Sequence, residues 1–165
     1  MKKDHPKINF GKTGVLVINL GTPDSTSWFD IRKYLKEFLS DKRVIEVNPV
    51  IWQIILNLFI LTFRPSKTAK AYKEIWMKKE NMSPLLYYTK KQAEKISENI
   101  DNESVIIDFA MRYGNPSIKS KIKKLHDEGC ENLTILPLYP QYAAATTATV
   151  CAVSYTHLRA HETAS

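Results

Sequence analysis

Val15-Leu16-Val17-Ile18-Asn19-Leu20 is a nearly unbroken apolar run ending in Gly21-Thr22-Pro23-Asp24, the pattern of a parallel strand buried on both faces before a turn. Trp28, Ile31, Leu35 and Phe38 then recur at helical spacing, and the residues from Asp24 to Ser27 offer caps. Val44-Ile45-Glu46-Val47 fits a minor strand, and Lys67 to Trp76 reads as helix. Ser83-Pro84 opens a further helix, whose inner face is Leu86, Ala93, Ile96 and Ile100. Ser104 to Ala110 is the second clear strand, with Met111-Arg112-Tyr113-Gly114 at its carboxyl end. Asn115-Pro116 opens the next helix, Ile118, Ile122 and Leu125 form its inner face, and Gly129 stops it. Leu133 to Leu138 is the third strand. Strands alternating with helices predict an α/β domain with a parallel sheet and helices on both faces, a three-layer sandwich.

The most apolar stretch, Val50 to Phe63, reads VIWQIILNLFILTF. It is too short to span a bilayer as a helix, which needs about 20 residues. Gln53 and Asn57 interrupt it, and Lys42, Arg43, Arg64 and Lys67 flank it. It suits a buried core helix, a helix lying in a membrane interface, or a hydrophobic lip beside the entrance of an apolar ligand.

With 165 residues, 44% hydrophobic and 25% charged, the chain is an ordinary globular mixture long enough for one packed domain. The formal charge of +7 suits an anionic partner. Yet Lys119, Lys121, Lys123 and Lys124 lie along one helix, as a solvated face does, and no clustered basic stripe with interleaved aromatics marks a nucleic-acid surface. Cys130 and Cys151 have no metal-ligand spacing and form no disulfide framework, which fits a reducing compartment. The basic residues at the N-terminus lead to no long apolar segment of the signal-peptide kind.

Ligands of open α/β sheets bind beyond the carboxyl ends of the strands. Three such ends carry chemistry: Gly21-Thr22-Pro23, Met111-Arg112-Tyr113 and Tyr139-Pro140-Gln141-Tyr142. The third continues into Ala143-Ala144-Ala145-Thr146-Thr147, small residues that let a flat ligand approach; it also suits a plain strand-to-helix turn. Together the ends offer aromatic faces, hydroxyls and one guanidinium, an inventory for a planar, partly anionic organic ligand. Gly11-Lys12-Thr13 imitates the end of a phosphate-binding loop but precedes a strand instead of following one.

On these residues the sequence resembles the ferrochelatases, which insert ferrous iron into a porphyrin. The matching segments are Asn19-Leu20-Gly21-Thr22-Pro23, Phe38-Leu39-Ser40-Asp41, Ala71-Tyr72 through Trp76, and Ser83-Pro84-Leu85. Two more specific ones follow, Met111 to Pro116 and Leu136 to Tyr142. The resemblance implies a parallel, Rossmann-like sheet of the chelatase type, one domain of the usual two, spanning residues 13–150. It implies that Arg64, Tyr72 and Ser83 contact the porphyrin or its propionates, and that Arg112 and Tyr139 lie near the metal-binding face. It favours the lip reading of Val50 to Phe63, with peripheral membrane contact at the inner face of a cytoplasmic enzyme. Porphyrin and ferrous iron are then substrates and haem the product, with no resident cofactor.

Three departures qualify the likeness. Asp24 stands where coproporphyrin-using members place a Tyr that ligates iron, so protoporphyrin is the implied substrate. Ala144 stands where cluster-containing members carry a Cys, so no iron–sulfur cluster is implied. The family's catalytic His and its partner Glu lie in a second half, and residues 13–150 hold only His126, beside Asp127 and Glu128. No catalytic or metal-ligating residue is therefore expected in this stretch, and a non-catalytic α/β module binding porphyrin or a nucleotide is the alternative. Residues 151–165 do not resemble the family's continuation. The run from Val153 to Thr163 resembles the conceptual translation of a sequencing-library adaptor, which makes 151–165 a foreign tail. His157 and His161, four apart there, have a spacing that metal ligands sometimes share.

Overall fold

A computed structural model describes residues 11–45, 47–100 and 103–162, with side chains to residue 158. Three parallel strands, β1 (Lys12–Thr22), β2 (Val105–Gly114) and β3 (Cys130–Pro137), form a sheet in the order β2-β1-β3. The helices are α1 (Trp28–Leu39), α2 (Pro49–Ile55), α3 (Leu61–Ile75), α4 (Pro84–Asn99), α5 (Ile118–Asp127) and α6 (Thr149–Glu162). The most apolar strand, β1, takes the central place, where both neighbours hide its backbone. Leu16, Val17 and Ile18 are fully buried.

Side chains alternate across the sheet, so Leu16, Ile18 and Ala110 share a face. That face packs on Ile118, Ile122 and Leu125 of α5 and Val150 of α6. The opposite face receives α4, where Asn19 donates to Thr89 Oγ1 at 3.1 Å. Helices therefore cover both faces, as the alternation predicts. Ser27, Ser83 and Ser117 cap α1, α4 and α5, each accepting the backbone N–H three residues on.

Several local expectations need correction. The helix expected at Asn115-Pro116 begins at Ile118, because the carbonyl of Pro116 accepts the N–H of Met111 at 2.7 Å and Ser117 is the cap. Ile100 lies past the end of α4 and is 40% exposed, not part of the inner face. Val44 and Ile45 hydrogen-bond back to the Asp41 carbonyl in a turn, so no strand forms there; Glu46 lies outside the described residues. The sequence marks residues 1–12 as a disordered or extended N-terminus; residues 1–10 lie outside the described residues, and Lys12 already belongs to β1.

Val50 to Phe63 is not a core helix. α2, a five-residue π turn (Leu56–Ile60) and α3 form one continuous helix, Pro49–Ile75, of 27 residues. It is the one helix among the described residues long and apolar enough to cross a membrane by length and composition, because Arg64 to Ile75 prolong the helix beyond the apolar run. Its buried stripe is Leu56, Leu61, Pro65 and Ala69, of which Leu56, Leu61 and Ala69 cluster with Ile31, Tyr34, Leu35 and Leu39 of α1. The π turn sets Leu56 and Leu61 five apart, after which the stripe resumes at spacing four. Pro65 has no N–H for the Leu61 carbonyl, and Arg32 Nε supplies the donor at 3.2 Å. The outer stripe is left open: Val50, Ile54, Leu58, Phe59 and Phe63 are 54–72% exposed.

Candidate functional site

The strand ends meet as predicted. β1 and β2 stay in register to their last residues, Gly21 opposite Tyr113 and Thr22 opposite Gly114. The two glycines permit this approach. Gly21 (φ +116°) would place a Cβ 1.9 Å from the Tyr113 carbonyl oxygen, and Gly114 (φ +83°) would place one 2.5 Å from that of Thr22. β3 joins the rim through the Leu138 N–H, which donates to the Ile18 carbonyl at 2.8 Å.

Arg112 sits at the centre. Its Nη2 donates to Asp41 Oδ2 and its Nε to Thr149 Oγ1, and its guanidinium lies 4.3 Å from the Tyr113 ring centroid. Tyr113 donates its hydroxyl to the same Asp41 oxygen at 3.0 Å, and Asp41 Oδ1 accepts the Arg43 N–H at 2.9 Å. Burial alone would raise the Asp41 pKa. The Arg43 N–H, the Tyr113 hydroxyl and the Arg112 charge outweigh it and hold the carboxyl below its ordinary range. Burial likewise pushes the Tyr113 phenol up. An open groove of about 620 Å³ runs along this cluster, walled by Lys36, Lys42 and Arg43.

Tyr139 lies on the α5–α6 side of the sheet, its hydroxyl buried without a hydrogen-bond partner. Burial, with Tyr113 nearby, pushes its pKa up to about 12. At the end of β1 the Thr22 hydroxyl is also buried and unpartnered. Two orphan hydroxyls at strand ends are the polar groups that a ligand or a bridging water satisfies.

Arg64 and Tyr72 line a separate groove of about 960 Å³ along α3, together with Phe59, Phe63 and Ile75. Arg64 is exposed and Tyr72 half-buried. Tyr72 packs against the cluster that holds Tyr34, whose hydroxyl donates to the Gly21 carbonyl at 3.3 Å. Tyr34 stacks on Phe38 at 6.2 Å, and Phe38 meets Tyr113 edge-on at 5.1 Å. An aromatic chain thus joins the α3 groove to the Arg112 cluster. Ser83 stands apart from both: it is buried, and its hydroxyl accepts the Leu86 N–H at 3.2 Å. Sequence reasoning missed Tyr34, Asp41 and Thr149 as site members. The Phe38-Leu39-Ser40-Asp41 segment was a signal for Asp41, but its partner is 71 residues away.

His126 lies in the last turn of α5, which runs back from the rim, so it is at the opposite end of the sheet, 3.7 Å from Asp127. Among the described residues no cluster of three His, Cys, Asp or Glu could hold a metal ion. The side chain of His161 lies outside them.

An open parallel sheet with aromatic, hydroxyl and guanidinium groups at its strand ends places the chain in the α/β class, whose ligand sites lie beyond the carboxyl ends of the strands. The family profile described as ferrochelatase matches residues 12–165, and the chain belongs to the ferrochelatase family. It is 57% identical over 141 residues to a ferrochelatase of Francisella tularensis subsp. tularensis (strain WY96-3418), an alignment covering 86% of this chain and 42% of that protein. To a ferrochelatase of Allorhizobium ampelinum it is 55% identical over 151 residues, covering 91% of this chain and 44% of that protein. The chain therefore spans about two fifths of the length of these relatives.

Proposed function

We propose that this protein inserts ferrous iron into protoporphyrin IX to form haem, and that the residues described here are the part that grips the ring. The observation that carries this reading is identity above one half to ferrochelatases across 86% of the chain, over the segments that build the rim. Arg64 and Tyr72 take the porphyrin edge and its propionates along the α3 groove; the exposure of the guanidinium supports this. Arg112 and Tyr139 face the ring beyond the strand ends. Ser83 acts through the start of α4, since its oxygen already caps the helix. Asp24, engaged by Asn115 Nδ2 at 2.9 Å and Lys33 at 3.2 Å, offers no phenol to iron, in keeping with protoporphyrin over coproporphyrin.

Metallation removes two pyrrole protons while the metal enters, so the site must hold the ring and place a base near its inner nitrogens. His126, at the far end of the sheet, is unsuited to that role, and we assign the base to residues outside 13–150. This placement also favours a second reading, a porphyrin-binding module without catalysis. The outward apolar stripe of α2 and α3, with Lys42, Arg43, Arg64 and Lys67 nearby, supports a lip resting on the cytoplasmic face of a membrane. Charges at Lys67, Lys70 and Lys73 disfavour a span through it. We read residues 151–165 as foreign sequence joined to a domain of residues 13–150. Against this reading stand the profile match through residue 165 and the packing of Val153 and Leu158 on the α5 side of the sheet; the source locus encoding this tail in frame would refute it.

The experiment is to mix the purified 165-residue chain with protoporphyrin and then ferrous iron. Saturable porphyrin uptake with iron insertion no faster than the uncatalysed rate is expected. Haem formation well above that rate contradicts the placement of the base, and no uptake contradicts the function.

A further inference from the structure

Arg112 is not a free cation at the rim. Its side chain is 11% exposed and that of its partner Asp41 8%. Of its five N–H donors, one on Nη2 goes to Asp41 and Nε–H goes to Thr149. The Tyr113 ring lies against the guanidinium, and Tyr113 is tied by its hydroxyl to the same carboxylate. Asp41 is fixed in turn by the Arg43 N–H, at the end of α1. One carboxylate therefore decides where the remaining Arg112 donors and the Tyr113 phenol point, and it compensates the charge.

We propose that Asp41 is a positioning residue. Together with the buried Tyr113 behind the guanidinium, it locks Arg112 in the orientation that the bound porphyrin meets, and Arg112 meets the ring with its charge already balanced. The proposal rests on the porphyrin-binding reading above. Asp41→Asn keeps the shape but removes the charge, and Asp41→Glu restores it on a longer arm. Arg112→Lys gives up the forked geometry. Tyr113→Phe removes only the hydroxyl bond and serves if the Asp41 variants do not fold.

Two readouts on the folded 165-residue chain decide it. The first, without ligand, is hydrogen exchange of the Arg112 Nε–H by NMR. It should be protected in the wild type, at least about tenfold faster in Asp41→Asn, and protected again in Asp41→Glu. The second is titration with protoporphyrin IX. Affinity should fall about tenfold in Asp41→Asn, with a moved Soret maximum, partial recovery in Asp41→Glu, and little further loss when Arg112→Lys is added. Tyr113→Phe should give a smaller loss in the same direction. Unchanged exchange in Asp41→Asn overturns the lock. Faster exchange with unchanged affinity and Soret band overturns the positioning role and leaves a structural ion pair. If the wild type takes up no porphyrin while its Nε–H is protected, the functional reading fails, and the role at the ring fails with it.

Discussion

Two apolar runs of this chain meet opposite fates. Val15 to Leu20 becomes the central strand, with Leu16, Val17 and Ile18 at 0% exposure, whereas Val50, Leu58 and Phe63, in the longest apolar run, are 63–72% exposed. Hydrophobicity alone does not separate them. What does is the neighbourhood: β1 has a strand on each side and helices on both faces, while the Pro49–Ile75 helix, among the described elements, packs chiefly on α1. The first run holds the domain together. The second keeps an apolar stripe available to something outside the described residues.

That contrast can be broken by substitution. Leu16→Ala should cost about 3 kcal/mol, read as a lower denaturant midpoint at unchanged slope, because a buried side chain leaves a cavity in close packing. Gly21→Ala should cost about 2–3 kcal/mol, since the new Cβ meets the Tyr113 carbonyl and the backbone is left-handed there. Asp108→Asn probes a buried carboxylate of β2 that faces α5. It separates a carboxylate from Lys121 (2.7 Å) and Lys124 (2.9 Å) and should cost about 2 kcal/mol at neutral pH.

The same carboxylate sets an acid limb. Burial alone would raise its pKa, but the Lys121 and Lys124 bonds and the Phe109 N–H hold it below the ordinary value, and Asp41 is lowered as well. Their contribution is fully present above the unfolded carboxylate value near about pH 4 and is lost as the pH falls through the depressed folded values. Melting temperature followed downward from pH 7 should show that loss, and a shallower one in Asp108→Asn. At the small end, Phe63→Ser should change stability by under about 0.5 kcal/mol while weakening co-sedimentation with anionic vesicles. A large loss of stability there would mean that the stripe belongs to the core after all.

The strands, the Ser27 and Ser83 caps and the layer order were legible because each is written in adjacent residues: an apolar run, a Ser three residues before an N–H it can accept, a glycine after a helix. The convergence of the strand ends followed from parallel topology. What stayed hidden was long-range or depended on exposure. Nothing near Arg112 in sequence marks Asp41 as its partner, and nothing in the Val50 to Phe63 pattern tells a buried helix from an open one. The rescue of the Leu61 carbonyl by Arg32 let a helix pass through Pro65, where a local rule expects a break. Ser83 shows the reverse case, a residue chosen by resemblance whose oxygen is already engaged in capping.

The most direct measurement is an absorbance and fluorescence titration of the 165-residue chain with protoporphyrin IX, beside a variant combining Arg64→Ala with Tyr72→Phe and a parallel titration with a nucleotide. Saturable uptake of one porphyrin, weakened about tenfold or more in the variant, with no response to nucleotide, is the predicted result. Uptake that never saturates, or that the variant leaves unchanged, would contradict a porphyrin site on this chain.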